Sequence, residues 1–298
     1  MSRLKATKRR LRGAALGALV PAAALPFGWI GWRRAQRLGA RFGALAWRLA
    51  ASERRRTLSH LEIAFPELDP AERERRGREC FLHLGTMGGE TLHLMHHGRG
   101  ALEGRLEIVG AQHLEAALAA PEPVLLLMAH CGNWELCGAA LGQLGVDTWA
   151  IVREMQSPEA ERIVAGYRAR LGGIRSIPRG STAASRALLS VLRQPRAALA
   201  LLADQDFESE GVMVPFFGRP AFTPVGPARL ALRRRCQMIP VFDHRLPDGR
   251  HQVEILPRLE LPGDEAAATA TLTEVIETQI RRFPEQWVWM HRRWRRQG

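Results

Sequence analysis

Largely apolar runs break up the middle of the chain: Val124–Ala129, Thr148–Val152, Ala198–Ala203 and Met238–Phe242. Such runs lack the alternation of a half-solvated strand and predict strands buried on both faces. The intervening segments 134–144, 158–171, 181–194 and 226–235 predict helices, His251–Leu261 an edge strand, and 264–283 a late helix. Strands alternating with helices give an α/β fold whose mainly parallel sheet is flanked by helices.

Upstream the period changes. Asp69-Pro70-Ala71-Glu72 predicts a helix start, with Asp69 as N-cap, Pro70 in the first position and Glu72 completing a capping box. This helix runs toward His97, with Gly88 and Gly89 weakening its middle. In residues 33–56, Leu38, Phe42, Leu45 and Leu49 fall on one helical face, while Arg33, Arg34, Arg37, Arg41 and Arg48 crowd the remainder. A basic amphipathic helix suits an anionic lipid surface. Residues 13–32 carry no charge. A helix of that length reaches ~30 Å, although Pro21 and Pro26 interrupt it. We expect a membrane-anchoring segment over residues 1–56 and one catalytic domain over 57–298.

Charge strengthens that expectation. The 298 residues include 43 basic and 30 acidic side chains, a formal +13; only Lys5 and Lys8 are lysine, so 41 are arginine. Guanidinium forks match phosphate and carboxylate groups, and the excess favours an anionic partner. The closing WVWMHRRW suits a membrane interface or a nucleic-acid surface. No zinc finger, RNP or helix-turn-helix pattern supports nucleic acid, and no GxSxG, Walker A or GxGxxG sequence occurs. Cys80, Cys131, Cys137 and Cys236 have no CxxC spacing, so neither a metal site nor a disulfide framework is expected.

The chemistry centres on LLLMAHCGNWEL, residues 125–136. His130 stands where the first strong strand stops, the end at which open α/β sheets place ligands. Glu135 follows five positions later, and a sharp turn at Gly132-Asn133 would let it reach one imidazole nitrogen. The other nitrogen would then take a proton from a hydroxyl. An isolated histidine and glutamate at this spacing more often satisfy loop backbone.

The stretch AHCGNWEL resembles the H-x4-(D/E) motif of glycerolipid and lipid A acyltransferases, in the HxGNWE form of the lipid A biosynthesis lauroyl/myristoyl group. The segments LEIAFPELDPAERERRGRECFLHLG, VREMQSP, ADQDFESEGVMVPFFGRPAFTPVGPARLA, MIPVF and QWVWMHRRW are similar to that family's blocks, in the same order. Val152, Glu154 and Ser157 depart from its pattern, which bears on the substrate rather than the reaction.

The resemblance implies a glycerolipid acyltransferase-like fold and acyl transfer from an acyl-carrier-protein thioester to a hydroxyl of a lipid A precursor, without a cofactor. His130 would be the general base and Glu135 its orienting group. Arg168 or Arg170 would stand near the oxyanion, Arg153 would grip a lipid phosphate, and Asp204 and Asp206 would position the acceptor or hold those arginines. Phe216, Phe217 and Phe222 would line an acyl groove or belong to the core. The implied partners are acyl carrier protein, anionic lipid and a glycolipid acceptor, not nucleic acid, at the cytoplasmic face of the inner membrane. A different glycolipid, a phospholipid or an ornithine lipid, with acyl-CoA as donor, is the sibling alternative.

Overall fold

The computed structural model describes residues 24–152, 158–178, 182–207 and 209–296. Seven strands form the main sheet: β1 (Leu106–Val109), β2 (Val124–Met128), β3 (Asp147–Val152), β4 (Arg175–Pro178), β5 (Ala197–Leu202), β8 (Gln237–Arg245) and β9 (His251–Ile255). Their order is β1-β9-β8-β2-β5-β3-β4, parallel throughout except where β9 runs antiparallel to β8. β6 (Gly211–Phe216) and β7 (Arg219–Pro224) form a separate antiparallel pair.

Helices α4 (Ala111–Ala119), α5 (Glu135–Gln143), α6 (Pro158–Leu171), α7 (Thr182–Val191), α8 (Gly226–Arg234) and α9 (Glu265–Arg282) flank the sheet. In β2, Leu125 and Leu127 join one core cluster, whereas Leu126 and Met128 join the other. Burial on both faces is why this run lacks polar alternation. The segment from His251 is not an edge strand, because β1 covers its outer side.

The amino-terminal region differs more from expectation. Residues 33–56 divide between α1 (Trp32–Leu49) and α2 (Ala51–Ala64), with the chain bending at Ala50. α3 (Pro70–His97) has the expected cap, Asp69 accepting from the Glu72 backbone N–H at 2.8 Å. Among the described residues no helix is long and apolar enough to cross a membrane, and residues 13–23 lie outside them.

α1 packs on α3 through its small residues. A Cβ at Gly39 would overlap the Gly85 carbonyl, and one at Gly43 the Phe81 carbonyl. The glycines that weaken these helices in isolation therefore let their backbones touch. The stripe expected on α1 faces outward: Phe42 is 56%, Leu45 49% and Leu49 73% exposed.

A buried polar cluster ties these helices to the sheet. Glu90 on α3 accepts from Gln36 (2.8 Å), Asn133 (3.2 Å), Arg245 (2.7 and 2.9 Å) and His251 Nε2 (3.1 Å). His251 Nδ1 meets Asp243 at 2.9 Å. Burial alone would lower the His251 pKa, but the carboxylates on its two ring nitrogens raise it to about 9. Glu90 is held well below its ordinary value: burial opposes this, and His251 and Arg245 outweigh burial. His83, buried beside Arg245, is pushed down to about 3 and stays neutral. Two carboxylates thus face two cations, the arrangement that makes a buried charge tolerable.

Two outcomes are expected. Gly39→Leu should loosen α1 from α3, because a backbone contact has no rotamer to relieve it. We expect about 1–3 kcal/mol of destabilisation or release of α1 to limited proteolysis; wild-type stability together with wild-type protease resistance would contradict the packing. The second concerns alkali. A raised folded-state pKa makes the His251 contribution complete below 6.5 and lost as pH rises through about 9. Urea midpoints of the wild type should fall across that interval, and His251→Gln, weaker by roughly 3–5 kcal/mol at neutral pH, should lack that decline. A flat wild-type profile would show that His251 is not held as an imidazolium.

Candidate active site

Strand register brings His130 to a carboxylate. β2 and β5 pair with Met128 opposite Leu202, and His130 and Asp204 each lie two residues beyond. Imidazole Nδ1 is 2.8 Å from Asp204 Oδ1, and the His130 backbone N–H donates to Oδ2 at 3.1 Å. The Trp287 indole N–H donates to the same oxygen at 2.8 Å. Asp204 is sealed from solvent, whereas the His130 side chain is 23% exposed. Burial alone would raise the Asp204 pKa, but His130 and these donors bring it down to about 2. An ionised carboxylate only accepts, so Nδ1 carries the proton and the far ring nitrogen, Nε2, is left as the acceptor. Trp134 meets the imidazole edge-on, with ring centres 4.9 Å apart.

Glu135 does not fill the place expected of it. Gly132 takes the left-handed conformation (φ 58°), and Asn133 donates its backbone N–H to Asp243 at 2.6 Å. A Cβ at Gly132 would overlap Asp243, which explains the need for glycine there. Gly132 donates to the Gln286 carbonyl at 2.9 Å, and its own carbonyl lies 3.1 Å from His83 Nε2. The bend thus anchors the turn to β8, α3 and the carboxyl-terminal segment and sets Glu135 in the first turn of α5. From there its carboxylate faces α6 and accepts two bonds from Arg168, at 2.6 and 2.8 Å. The carboxylate on the imidazole is Asp204, because register, rather than the turn, aligns a side chain with Nδ1.

Arg168 also donates to Ser176 at 3.0 Å. Arg170 points elsewhere, to the Met95 carbonyl. Arg153 lies outside the described residues. Asp206 holds neither Arg168 nor Arg170; it accepts from Arg295 (2.8 Å) and lies 3.3 Å from Arg296. Phe216 and Phe217 belong to the buried core, and Phe222 lies under the Arg296 guanidinium at 3.8 Å.

The carboxyl-terminal aromatics, read from sequence as an interfacial or nucleic-acid surface, are internal. Trp287 and Trp289 are fully buried and Trp294 nearly so. This segment supports the site from below: Trp287 bridges to Cys131 and binds Asp204, and Arg293 donates to the Phe222 carbonyl and Thr223 hydroxyl. Burial pushes Arg293 down to about 10 despite nearby Asp204 and Asp206. The supporting roles of Gln286, Trp287 and Arg293 leave no mark in the sequence beyond a dense aromatic and basic run. Among the described residues no group of three or more histidine, cysteine or acidic side chains is placed to hold a metal ion.

A phosphatidylinositol mannoside acyltransferase of Mycobacterium tuberculosis is 33% identical over 205 residues, 67% of this chain and 63% of that protein. The chain therefore spans less than two thirds of the length of that relative. A lipid A biosynthesis acyltransferase of Haemophilus influenzae is 24% identical over 264 residues, covering 88% of this chain and 82% of the relative. The lipid A biosynthesis lauroyltransferase of Escherichia coli is 26% identical over 280 residues, covering 87% and 84%. The family described as bacterial lipid A biosynthesis acyltransferase matches residues 4–296. With that match over nearly its whole length, the chain belongs to the bacterial lipid A biosynthesis acyltransferase family.

Proposed function

We propose that this protein is a membrane-associated O-acyltransferase that moves a fatty acyl group from an acyl-carrier-protein thioester to a hydroxyl of a lipid A precursor, at the cytoplasmic face of the inner membrane. The observation that carries the chemistry is the His130 imidazole held at Nδ1 by buried Asp204. His130 Nε2 takes the proton of the acceptor hydroxyl as its oxygen bonds to the thioester carbonyl carbon. The ionised Asp204 fixes the tautomer and stabilises the imidazolium that forms. Collapse of the tetrahedral intermediate breaks the carbon–sulfur bond, and the imidazolium returns the proton to the departing thiolate. No cofactor enters these steps.

Glu135 takes a role different from that expected for it. Its bidentate bond fixes the Arg168 guanidinium beside the turn, and Arg168 supplies positive charge toward the oxyanion. The acceptor has a second reading. Identity to the phosphatidylinositol mannoside acyltransferase, at 33%, exceeds that to the two lipid A relatives, at 24% and 26%. A phosphoinositol glycolipid acceptor, with acyl-CoA as its donor, is therefore the alternative.

Purified protein should be given acyl carrier protein or coenzyme A thioesters with each acceptor class, and product followed by lipid mass spectrometry. His130→Ala should abolish transfer while the unfolding profile stays intact; retention of more than a small fraction of the rate would remove His130 as the base. Asp204→Asn can donate to Nδ1 and so favours the tautomer whose Nε2 cannot accept. It should lower kcat by roughly 10²–10⁴ with little change in KM. An undiminished kcat would separate Asp204 from the chemistry.

A further inference from the structure

The His130 end of the sheet carries a second basic feature that the reaction does not use. A surface cavity of about 650 Å³ is lined by Trp32, Arg33, Arg34 and Arg37 of α1, by Arg105 before β1, and by Arg250 before β9. Topology fixes its location. β8 runs parallel to β2, so the loop after Arg245 lies at the end where His130 emerges. β1 pairs in parallel with β9, with Leu106 beside His251, and this places Arg105 at the same end.

The floor is built rather than incidental. Trp32 Nε1 and Gln36 Nε2 both donate to the Gly249 carbonyl, at 3.3 and 2.8 Å. Gln36 also donates to buried Glu90, so the cavity is anchored to the cluster beneath the catalytic turn. Arg105 lies over the Trp32 ring, 5.9 Å from its centre.

Five arginines share this cavity with one acidic residue, Asp248. Asp248 pairs with Arg250 at 2.6 Å, and Glu107 lies 3.9 Å from the same guanidinium. Arg33, Arg34, Arg37 and Arg105 form no ion pair with any carboxylate among the described residues. Unmatched guanidinium groups repel one another and present forked donors suited to phosphate oxygens.

The surroundings select the source of that phosphate. At ~100° per residue, Arg34, Arg37, Arg41 and Arg48 fill one arc of α1, and exposed Phe42, Leu45 and Leu49 fill the arc next to it. Trp29, 90% exposed, stands just before the helix, with Leu25, 59% exposed, nearby. A soluble helix turns its apolar stripe inward; α1 turns it outward, alongside the arginines. A nucleic acid or free phosphate would leave those apolar side chains in water, whereas a bilayer covers both features.

We propose that this cavity binds the phosphate of an anionic lipid headgroup and seats the His130 end of the sheet on the membrane surface. The inference sharpens the membrane-associated reading above, but binding needs neither an acyl donor nor chemistry at His130, so the two fail separately.

The test is co-sedimentation of the full chain with phosphatidylcholine vesicles, with and without phosphatidylglycerol. Arg34→Gln/Arg37→Gln removes two cavity charges. Arg193→Gln/Arg234→Gln removes two exposed charges at the opposite end, beside the starts of β5 and β8. The cavity pair should weaken binding to phosphatidylglycerol vesicles by about 30-fold, from ~1 kcal/mol per basic residue, and the distal pair by much less. Equal losses would reduce the effect to net charge and overturn the proposal, as would unchanged binding in both. Inorganic phosphate, titrated at matched ionic strength, forms the second arm. Loss of its binding in the cavity pair with vesicle binding intact would make this a site for free phosphate and also overturn the proposal.

Discussion

The fully buried carboxylate of Glu90 is the constraint on which the rest of the structure depends. Its donors come from four parts of the chain: Gln36 on α1, Asn133 in the turn after β2, Arg245 at the end of β8 and His251 at the start of β9. No other group described here reaches the outer helix, the turn and the sheet at once. A lone carboxylate in such a place would bind a proton or draw water inward. Arg245 and the doubly bonded His251 keep it charged instead, and in doing so fix where the turn sits relative to the strands.

On that base the site follows from backbone geometry. Parallel pairing of β2 with β5 aligns the residues that leave their carboxyl ends, so His130 meets Asp204 without any special loop. The loop has a different task. Gly132 and Asn133 direct their backbone groups into β8, α3 and the carboxyl-terminal segment and thereby turn Glu135 away to Arg168. Two carboxylates therefore serve two nitrogen groups: Asp204 the His130 imidazole and Glu135 the Arg168 guanidinium.

The sequence carried much of this and withheld the rest for physical reasons. β2, β5 and β8 announce themselves because burial on both faces removes polar positions; β3, expected to be buried in the same way, instead alternates, with Thr148 and Ala150 buried and Ile151 37% exposed. β1 and β4 span four residues each, too few for a period, and β6 and β7 contain Pro215, Pro220 and Pro224. Asp204 is visible as a strand-end carboxylate, but its partnership requires the register of two strands 74 residues apart. Glu135 shows the converse: it is near His130 along the chain, but its carboxylate meets Arg168 rather than the imidazole. The apolar stripe of α1 is legible in its spacing, but which face α3 covers depends on Gly39 and Gly43, residues that on propensity alone only weaken a helix.

Arginine, nearly the sole basic residue of this chain, is used here in two ways. Arg168 and Arg245 are each matched by a carboxylate, and buried Arg293 by a carbonyl and a hydroxyl. Their charges are balanced or shared where water is excluded, and they fix the turn, α6 and the carboxyl-terminal segment about His130. Arg33, Arg34 and Arg37 on α1 and Arg105 before β1 form no ion pair with a carboxylate among the described residues, and the arginines of α1 adjoin exposed apolar side chains. A general excess of arginine explains the number of these residues but not that division. Matched charges hold the site together, whereas unmatched ones beside an outward apolar stripe retain attraction for something outside the molecule. Both sets occur at the end of the sheet where His130 emerges, so internal cohesion and outward attraction meet at the same end of the fold.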